Sequence, residues 1–159
     1  MEPQLFRIDD RLIHGQVILG WAIPLQSKCL LLCDDEIASS SWEKELYLSC
    51  VSNEIKALVL NVNKSCDYIL NERNVLEKTI ILVKSPKVVF KLIECGFKPN
   101  TINIGGLHFI GERKEYLPYV YMDQAEVKDL SDLENKNISI FCQDVPTGKK
   151  YPFRDLISQ

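Results

Sequence analysis

With 159 residues, of which 46% are hydrophobic and 26% charged, the chain is long enough for one domain with a sizeable core and too short for two ordinary ones. A net charge of −3 argues against a dedicated nucleic-acid binder, which would carry a basic surface. There is no apolar run long enough to span a bilayer, and Met1-Glu2-Pro3-Gln4 lacks the basic start of a secretory signal, so a cytoplasmic location is expected.

The first elements set the problem. Leu5, Phe6 and Ile8 read as the end of a short buried strand, and Val17, Ile18, Trp21 and Ala22 recur behind them at helical spacing. The segment Asp9–His14 is then a strand-to-helix loop, and in open α/β sheets such loops form ligand sites at the carboxyl ends of strands. His14 stands just before the first helical turn, and Gly15 would let the backbone come close to a ligand. Unpaired N–H groups and the positive end of the helix dipole favour an anion there.

Residue types narrow the anion to a phosphoryl group. A neutral imidazole is a good nucleophile at cytoplasmic pH. Arg7 and Arg11 would disfavour its protonation and neutralise the oxygens of a transferring group. The planar fork of arginine can hold two such oxygens at once. Asp9 or Asp10 could accept a hydrogen bond from one ring nitrogen and leave the other free, or either could pair with an arginine. The same composition also suits a solvated turn held by surface salt bridges.

Further along, Cys29-Leu30-Leu31-Leu32-Cys33 is a strand covered on both faces. Asp34-Asp35-Glu36 ends it and favours the start of a helix over about 37–51, which carries Trp42, Leu46 and Leu48. Residues 56–62 give a third strand and 65–71 a short helix. Residues 77–83 give a fourth strand, with Thr79-Ile80-Ile81-Leu82-Val83 at its centre. Lys84 and Ser85 follow at its carboxyl end, as candidate phosphate contacts or as a solvated lysine and a helix cap. Pro86 suits the first turn of a helix that Gly96 stops.

Thr101-Ile102-Asn103-Ile104 reads as a fifth strand ending at Gly105-Gly106, which lacks the flanking pattern of a nucleotide fingerprint. His108 could line the site, act as a second base, or hold a structural hydrogen bond. Residues 117–122 read as a sixth strand and 137–142 as a seventh. Between them lies a helix with Asp123 and Glu126 as a capping box and Val127, Leu130 and Leu133 as its apolar stripe. Residues 152–157 form a terminal cap. The six cysteines show no Cys-x-x-Cys pair and mostly lie in apolar runs, as reduced buried thiols do. Alternating strands and helices give an α/β fold: a three-layer αβα domain over residues 1–159 with a mostly parallel sheet of about seven strands.

The run Arg7-Ile8-Asp9-Asp10-Arg11-Leu12-Ile13-His14-Gly15-Gln16-Val17, followed by Trp21, resembles the signature of the IIB component of the mannose/sorbose family of the bacterial sugar phosphotransferase system. Asn103-Ile104-Gly105-Gly106-Leu107-His108 and Gln143-Asp144-Val145-Pro146 match in the same order, so the resemblance covers nearly the whole chain. It implies that His14 is the phosphoacceptor and that Arg11, helped by Arg7, stabilises the phosphoryl group. It also implies a seven-stranded sheet with the active loop exposed at one edge of the molecule. Asp9, Asp10, Gly15 and Gln16 would support the site; no metal and no cofactor is required. The implied partners are a mannose-family IIA protein or domain, membrane IIC and IID permease subunits and their sugar, which would hold the protein at the membrane periphery. A homodimer is compatible with the sequence. The rival readings are a regulatory phosphoprotein without a transport partner and a phosphate-binding hydrolase using His14 as base.

Overall fold

A computed structural model describes residues 1–158. In chain order the elements are β1 (Leu5–Asp9), a π-helix (Gln16–Ala22), β2 (Cys29–Cys33), α1 (Asp35–Ser39), α2 (Ser41–Ser49) and β3 (Lys56–Leu60). Next come α3 (Val62–Asn71), α4 (Arg73–Leu76), β4 (Thr79–Val83), α5 (Pro86–Glu94) and β5 (Thr101–Gly106). The chain ends with β6 (Lys114–Leu117), β7 (Val120–Met122), α6 (Gln124–Glu134), β8 (Ser139–Cys142), β9 (Tyr151–Pro152) and α7 (Phe153–Ile157).

Seven strands form one sheet in the order β3-β2-β4-β1-β5-β8-β9. Every neighbouring pair is parallel except β8 with β9. A strand flanked by parallel neighbours and covered on both faces reads as continuous apolar sequence, and β2 and β4 are buried at every position. Residues of α3, α5, α6 and α7 pack with Phe6, Ile8, Ile81 and Ile104 on one face. The π-helix, α1 and α2 cover the other with Val17, Trp21, Ile37 and Tyr47 against Leu30, Leu32 and Leu82. This is the expected three-layer αβα arrangement.

Several boundaries differ from the sequence reading. The helix expected over 37–51 is broken at Ser40, an extended residue whose hydroxyl accepts from Glu43 N–H and caps α2. The expected sixth strand is an antiparallel hairpin, β6–β7, outside the main sheet. The seventh place in the sheet is taken by Tyr151–Pro152, which overlaps the expected terminal cap at Pro152 alone. Pro152 can occupy it because an edge strand tolerates a missing N–H. The Asp123–Glu126 capping box is present, and Pro86 opens α5, although the Ser85 hydroxyl makes no cap bond. All six cysteines are unpaired; Cys50 and Cys95 are exposed and the other four buried.

β1 is the middle strand, so the loop that leaves it emerges at the centre of the sheet's carboxyl edge. There it is held by the end of β5 and the loop that follows, through Gly106 and His108.

Candidate active site

Alternation along β1 sends Phe6 and Ile8 into one core and turns Leu5, Arg7 and Asp9 to the other face. Arg7 and Asp9 are both fully buried. A buried guanidinium calls for acceptors, and four serve its two Nη groups, while Nε has no hydrogen-bond partner. Arg7 Nη1 donates to Asn103 Oδ1 at 2.6 Å and to the Gln143 carbonyl at 3.1 Å. Nη2 donates to Asp9 Oδ2 and to the Asp144 carbonyl, each at 3.1 Å. The Trp21 ring lies 5.1 Å from the guanidinium carbon, and the Trp21 indole donates to the same Asp144 carbonyl at 2.7 Å.

Gly105 completes this chamber. A Cβ there would stand 1.7 Å from Arg7 Cζ, so the strand must carry glycine where the guanidinium crosses it. Gly105 thus makes room for the Arg7 side chain, and Gly106 lies beside Arg11 and Asp9. Arg7 therefore does not reach the outer face of the loop, where it was expected to help hold phosphoryl oxygens. It is a buried counter-charge beneath the site. Burial pushes its pKa down, and the Asp9 carboxylate partly restores it.

Asp9 is the hub. Its Oδ1 accepts from the Arg11 backbone N–H at 3.0 Å and from Arg11 Nε at 3.2 Å. Its Oδ2 accepts from Arg7 Nη2 at 3.1 Å, Arg11 Nη2 at 3.2 Å and His14 Nε2 at 3.1 Å. Burial alone would raise its pKa. The bonds from His14 and Arg11 and the charge of Arg7 outweigh that and hold it well below the usual carboxylate range.

These bonds define the histidine. A carboxylate only accepts, so the proton between the two groups sits on His14 Nε2. On the other side of the ring, the Gln16 N–H donates to Nδ1 at 3.3 Å, which requires a lone pair there. Both contacts specify one tautomer, with Nδ1 the unprotonated nitrogen. The His14 side chain is 17% exposed, less open than a surface loop would make it, because Leu12 and Ile13 on its N-terminal side are buried in the core beneath the π-helix.

The loop is bent to do this. Leu12 has a φ of +58°, a left-handed conformation that costs a residue with a Cβ about 1–2 kcal/mol. Its N–H donates to the Asp9 carbonyl at 3.0 Å, and Ile18 N–H reaches the His14 carbonyl at 3.1 Å, which starts the helix directly behind the histidine. The Gln16 side chain accepts from Arg11 Nη2 at 2.8 Å. Arg11 is thus clamped by Asp9 and Gln16 through Nε and Nη2, while its side chain stays 36% exposed. Gly15 adopts an ordinary right-handed helical conformation, and an added Cβ would meet nothing within 4 Å. Folding does not require glycine there.

Asp10 faces away from His14. Its carboxylate accepts from His108 Nδ1 at 2.5 Å, from the His108 backbone N–H at 2.8 Å and from Arg113 Nη1 at 3.1 Å. His108 is thus hydrogen-bonded and half exposed. Lys84 and Ser85 do not join the site: Lys84 lies 3.0 Å from Asp34 and 3.3 Å from Glu36. Burial alone would lower its pKa, but the bonds it donates to these acids, and their charge, raise it. The structure brings together Arg7, Asp9, Arg11, His14 and Gln16, with Gly15 beside them. It adds Asn103, Gln143, Asp144 and Trp21, whose only sequence signal was membership of the motifs quoted above. Among the described residues, no group of three His, Cys, Asp or Glu side chains is placed to hold a metal ion.

A mostly parallel sheet that presents a carboxylate-oriented histidine at its carboxyl edge defines an α/β domain with a candidate nucleophile. Comparison with known proteins makes that specific: the model of the PTS system sorbose subfamily IIB component matches residues 3–159, and the chain belongs to that family. The Bacillus subtilis PTS system fructose-specific EIIB component is 27% identical, with 99% of this chain and 96% of that one covered. The Escherichia coli PTS system mannose-specific EIIAB component is 30% identical over 98% of this chain and 48% of its own length. The IIB domain of the Klebsiella pneumoniae sorbose permease has the same fold, with a TM-score of 0.88 over 99% of this chain and 97% of that one at 24% identity. Members of the family are phosphotransferases of the sugar phosphotransferase system, and phosphoryl transfer in sugar uptake is the role the family implies. Among the described residues no helix is long and apolar enough to cross a membrane.

Proposed function

We propose that His14 Nδ1 accepts a phosphoryl group from the phosphohistidine of a mannose-family IIA protein or domain. The group then passes to a sugar of the mannose, fructose or sorbose class bound by membrane IIC and IID subunits. The observation that carries this reading is the pair of bonds that leave Nδ1 unprotonated, Nε2–H to Asp9 and Gln16 N–H to Nδ1.

In the first step the Nδ1 lone pair attacks phosphorus in line with the donor P–N bond. That bond breaks and its electron pair returns to the donor imidazole. Asp9 keeps the Nε2 proton in place and offsets the positive charge that develops on the ring. Arg11, held edge-on by Asp9 and Gln16, is the residue placed to neutralise the phosphoryl oxygens. Gln16 N–H, released from the lone pair, becomes a donor to one of those oxygens. In the second step a sugar hydroxyl attacks phosphorus, the Nδ1–P bond breaks and the hydroxyl proton is released. Neither displacement needs strong acid or base catalysis, so orientation and charge stabilisation suffice. Transfer to a membrane-bound sugar would keep the protein in the cytoplasm at the membrane periphery.

The test is incubation with phosphoenolpyruvate, enzyme I, HPr and a mannose-family IIA protein, followed by intact-mass measurement with and without acid treatment. One acid-labile phosphoryl group on the wild type and none on His14→Ala is expected. Labile phosphate retained by His14→Ala would remove His14 from the role. Adding permease membranes and sugar then separates a carrier, which loses its phosphate to the sugar, from a purely regulatory phosphoprotein, which keeps it.

A further inference from the structure

The outer side of the active loop is tied down by a network that the transfer chemistry above does not use. Asp10 follows Asp9 directly, and its carboxylate takes three hydrogen bonds, two from His108 and one from Arg113. Arg113 is itself fixed from behind. Its Nε donates to Glu126 at 3.0 and 3.1 Å, its Nη2 donates to Glu126 at 2.6 Å, and its Nη1 also reaches the His108 carbonyl at 2.6 Å. Glu126 is anchored in turn, because Oε2 accepts the Asp123 N–H at 2.9 Å in the capping box of α6. The Asp10, Arg113 and Glu126 side chains are only 16%, 11% and 15% exposed. Charges this enclosed are screened far less than surface pairs.

A continuous line of charge-assisted bonds thus runs from the α6 N-terminus through Glu126 and Arg113 to Asp10, one residue from Arg11. The loop it holds contains the left-handed Leu12, a conformation that relaxes unless its surroundings enforce it. Asp9 enforces it from inside and Asp10 from outside. Gly106 marks where the two meet: its carbonyl accepts the Asp10 N–H at 3.0 Å, and a Cβ on it would stand 3.0 Å from Arg11 Nη2 and 3.1 Å from Asp9 Oδ1.

We propose that Arg113 is a positioning residue for phosphoryl transfer, acting through Asp10 to hold the loop in the shape that aims Arg11 and His14 at the phosphoryl group. This rests on the reading of His14 as phosphoacceptor. Arg113 touches neither the ring nor the Arg11 side chain, so its effect is expected on the rate of the chemical step and not on donor binding.

The test compares wild type with Arg113→Met, Arg113→Lys and Glu126→Gln. Glutamine at position 126 can still complete the capping box while losing its charge to Arg113, which separates loop bracing from the folding of α6. Single-turnover phosphorylation by a phosphorylated IIA protein is followed across donor concentrations. Long-range proton–nitrogen NMR reports the His14 tautomer and the Arg11 Nε–H resonance in the unphosphorylated proteins. Arg113→Met is expected to lower the saturated rate about tenfold or more, the scale of a small misplacement at a reacting centre, with the half-saturating donor concentration unchanged. Its Arg11 Nε–H resonance should lose its hydrogen-bonded position. Arg113→Lys, which can reach Asp10 or Glu126 but not both, should recover part of the rate, and Glu126→Gln should fall between. A saturated rate and an Arg11 resonance both unchanged in Arg113→Met, or a change confined to the half-saturating concentration, would overturn the proposal. If the wild type takes up no phosphate, the phosphoacceptor reading fails. The NMR comparison then still shows whether the brace holds the loop.

Discussion

Two histidines in this chain rest on two consecutive carboxylates, and they are mirror images in use. His14 gives Nε2 to the buried Asp9 and keeps Nδ1 free beside a backbone N–H. His108 gives Nδ1 to Asp10 and turns the rest of a half-exposed ring outward. What separates them is the company of the carboxylate. Asp9 is fully enclosed and gathers Arg7, Arg11 and the histidine on one pair of oxygens. Asp10 lies at the rim and serves as a fastening between the loop, the His108 segment and Arg113. On the proposed reading, a histidine–aspartate pair becomes a nucleophilic site where arginine and histidine donors keep a buried carboxylate charged and the second nitrogen is aimed.

The largest expected contrast breaks the pairs one at a time. His14→Ala should lose all acid-labile phosphate, whereas His108→Ala should still take up one phosphoryl group, measured by intact mass after the same donor reaction.

Stability should divide the two carboxylates as well. Asp9→Ala leaves the Arg7 charge unpaired in the core and should cost about 3–5 kcal/mol by urea denaturation, whereas Asp10→Ala at the rim should cost clearly less. The Asp9 contribution also has a definite pH dependence. Its folded pKa lies below the unfolded value, so its stabilisation is fully present above an unfolded carboxylate pKa of about 3.9 and is lost as pH falls below that toward the folded value. The stability difference between wild type and Asp9→Asn should therefore stay level from neutral pH to about pH 5 and shrink below about pH 4. A difference that grew on acidification would contradict the assignment of Asp9 as an ionised hub.

Arginine chemistry gives a smaller, sharper contrast. Arg11→Lys retains a charge but cannot form the two-pronged contact with Asp9 and Gln16, so single-turnover transfer should slow by about tenfold or more. Smallest of all is Gly15→Ala, which the fold accommodates without strain. Its melting temperature should hold or rise slightly, and any loss of transfer rate would report the space that a docked partner needs at the loop.

Much of this architecture was readable in the residues. β2 and β4 are apolar runs bounded by acids or by Lys84, and the Asp123–Glu126 box announces α6 through local chemistry alone. The bonds among Asp9, Arg11, His14 and Gln16 are equally local, since they span five residues or fewer. The parts that escaped depend on partners far away in sequence. Arg7 looks like a second phosphate ligand until Asn103 and the Gln143 carbonyl, 96 and 136 residues on, close over it. Asp10 and Arg113 meet across 103 residues. The sheet's seventh member is a two-residue strand, too short to leave a periodic signal, and the spacing of Val17, Trp21 and Ala22 does not distinguish a π-helix from an α-helix.

The most direct test of the account is the state of the two His14 ring nitrogens, read by long-range proton–nitrogen NMR before and after phosphorylation. The account predicts a proton on Nε2 in the free protein and the phosphoryl group on Nδ1 afterwards, with the Nε2 proton retained. A proton on Nδ1 in the free protein, or phosphorus on Nε2 in the product, would contradict it.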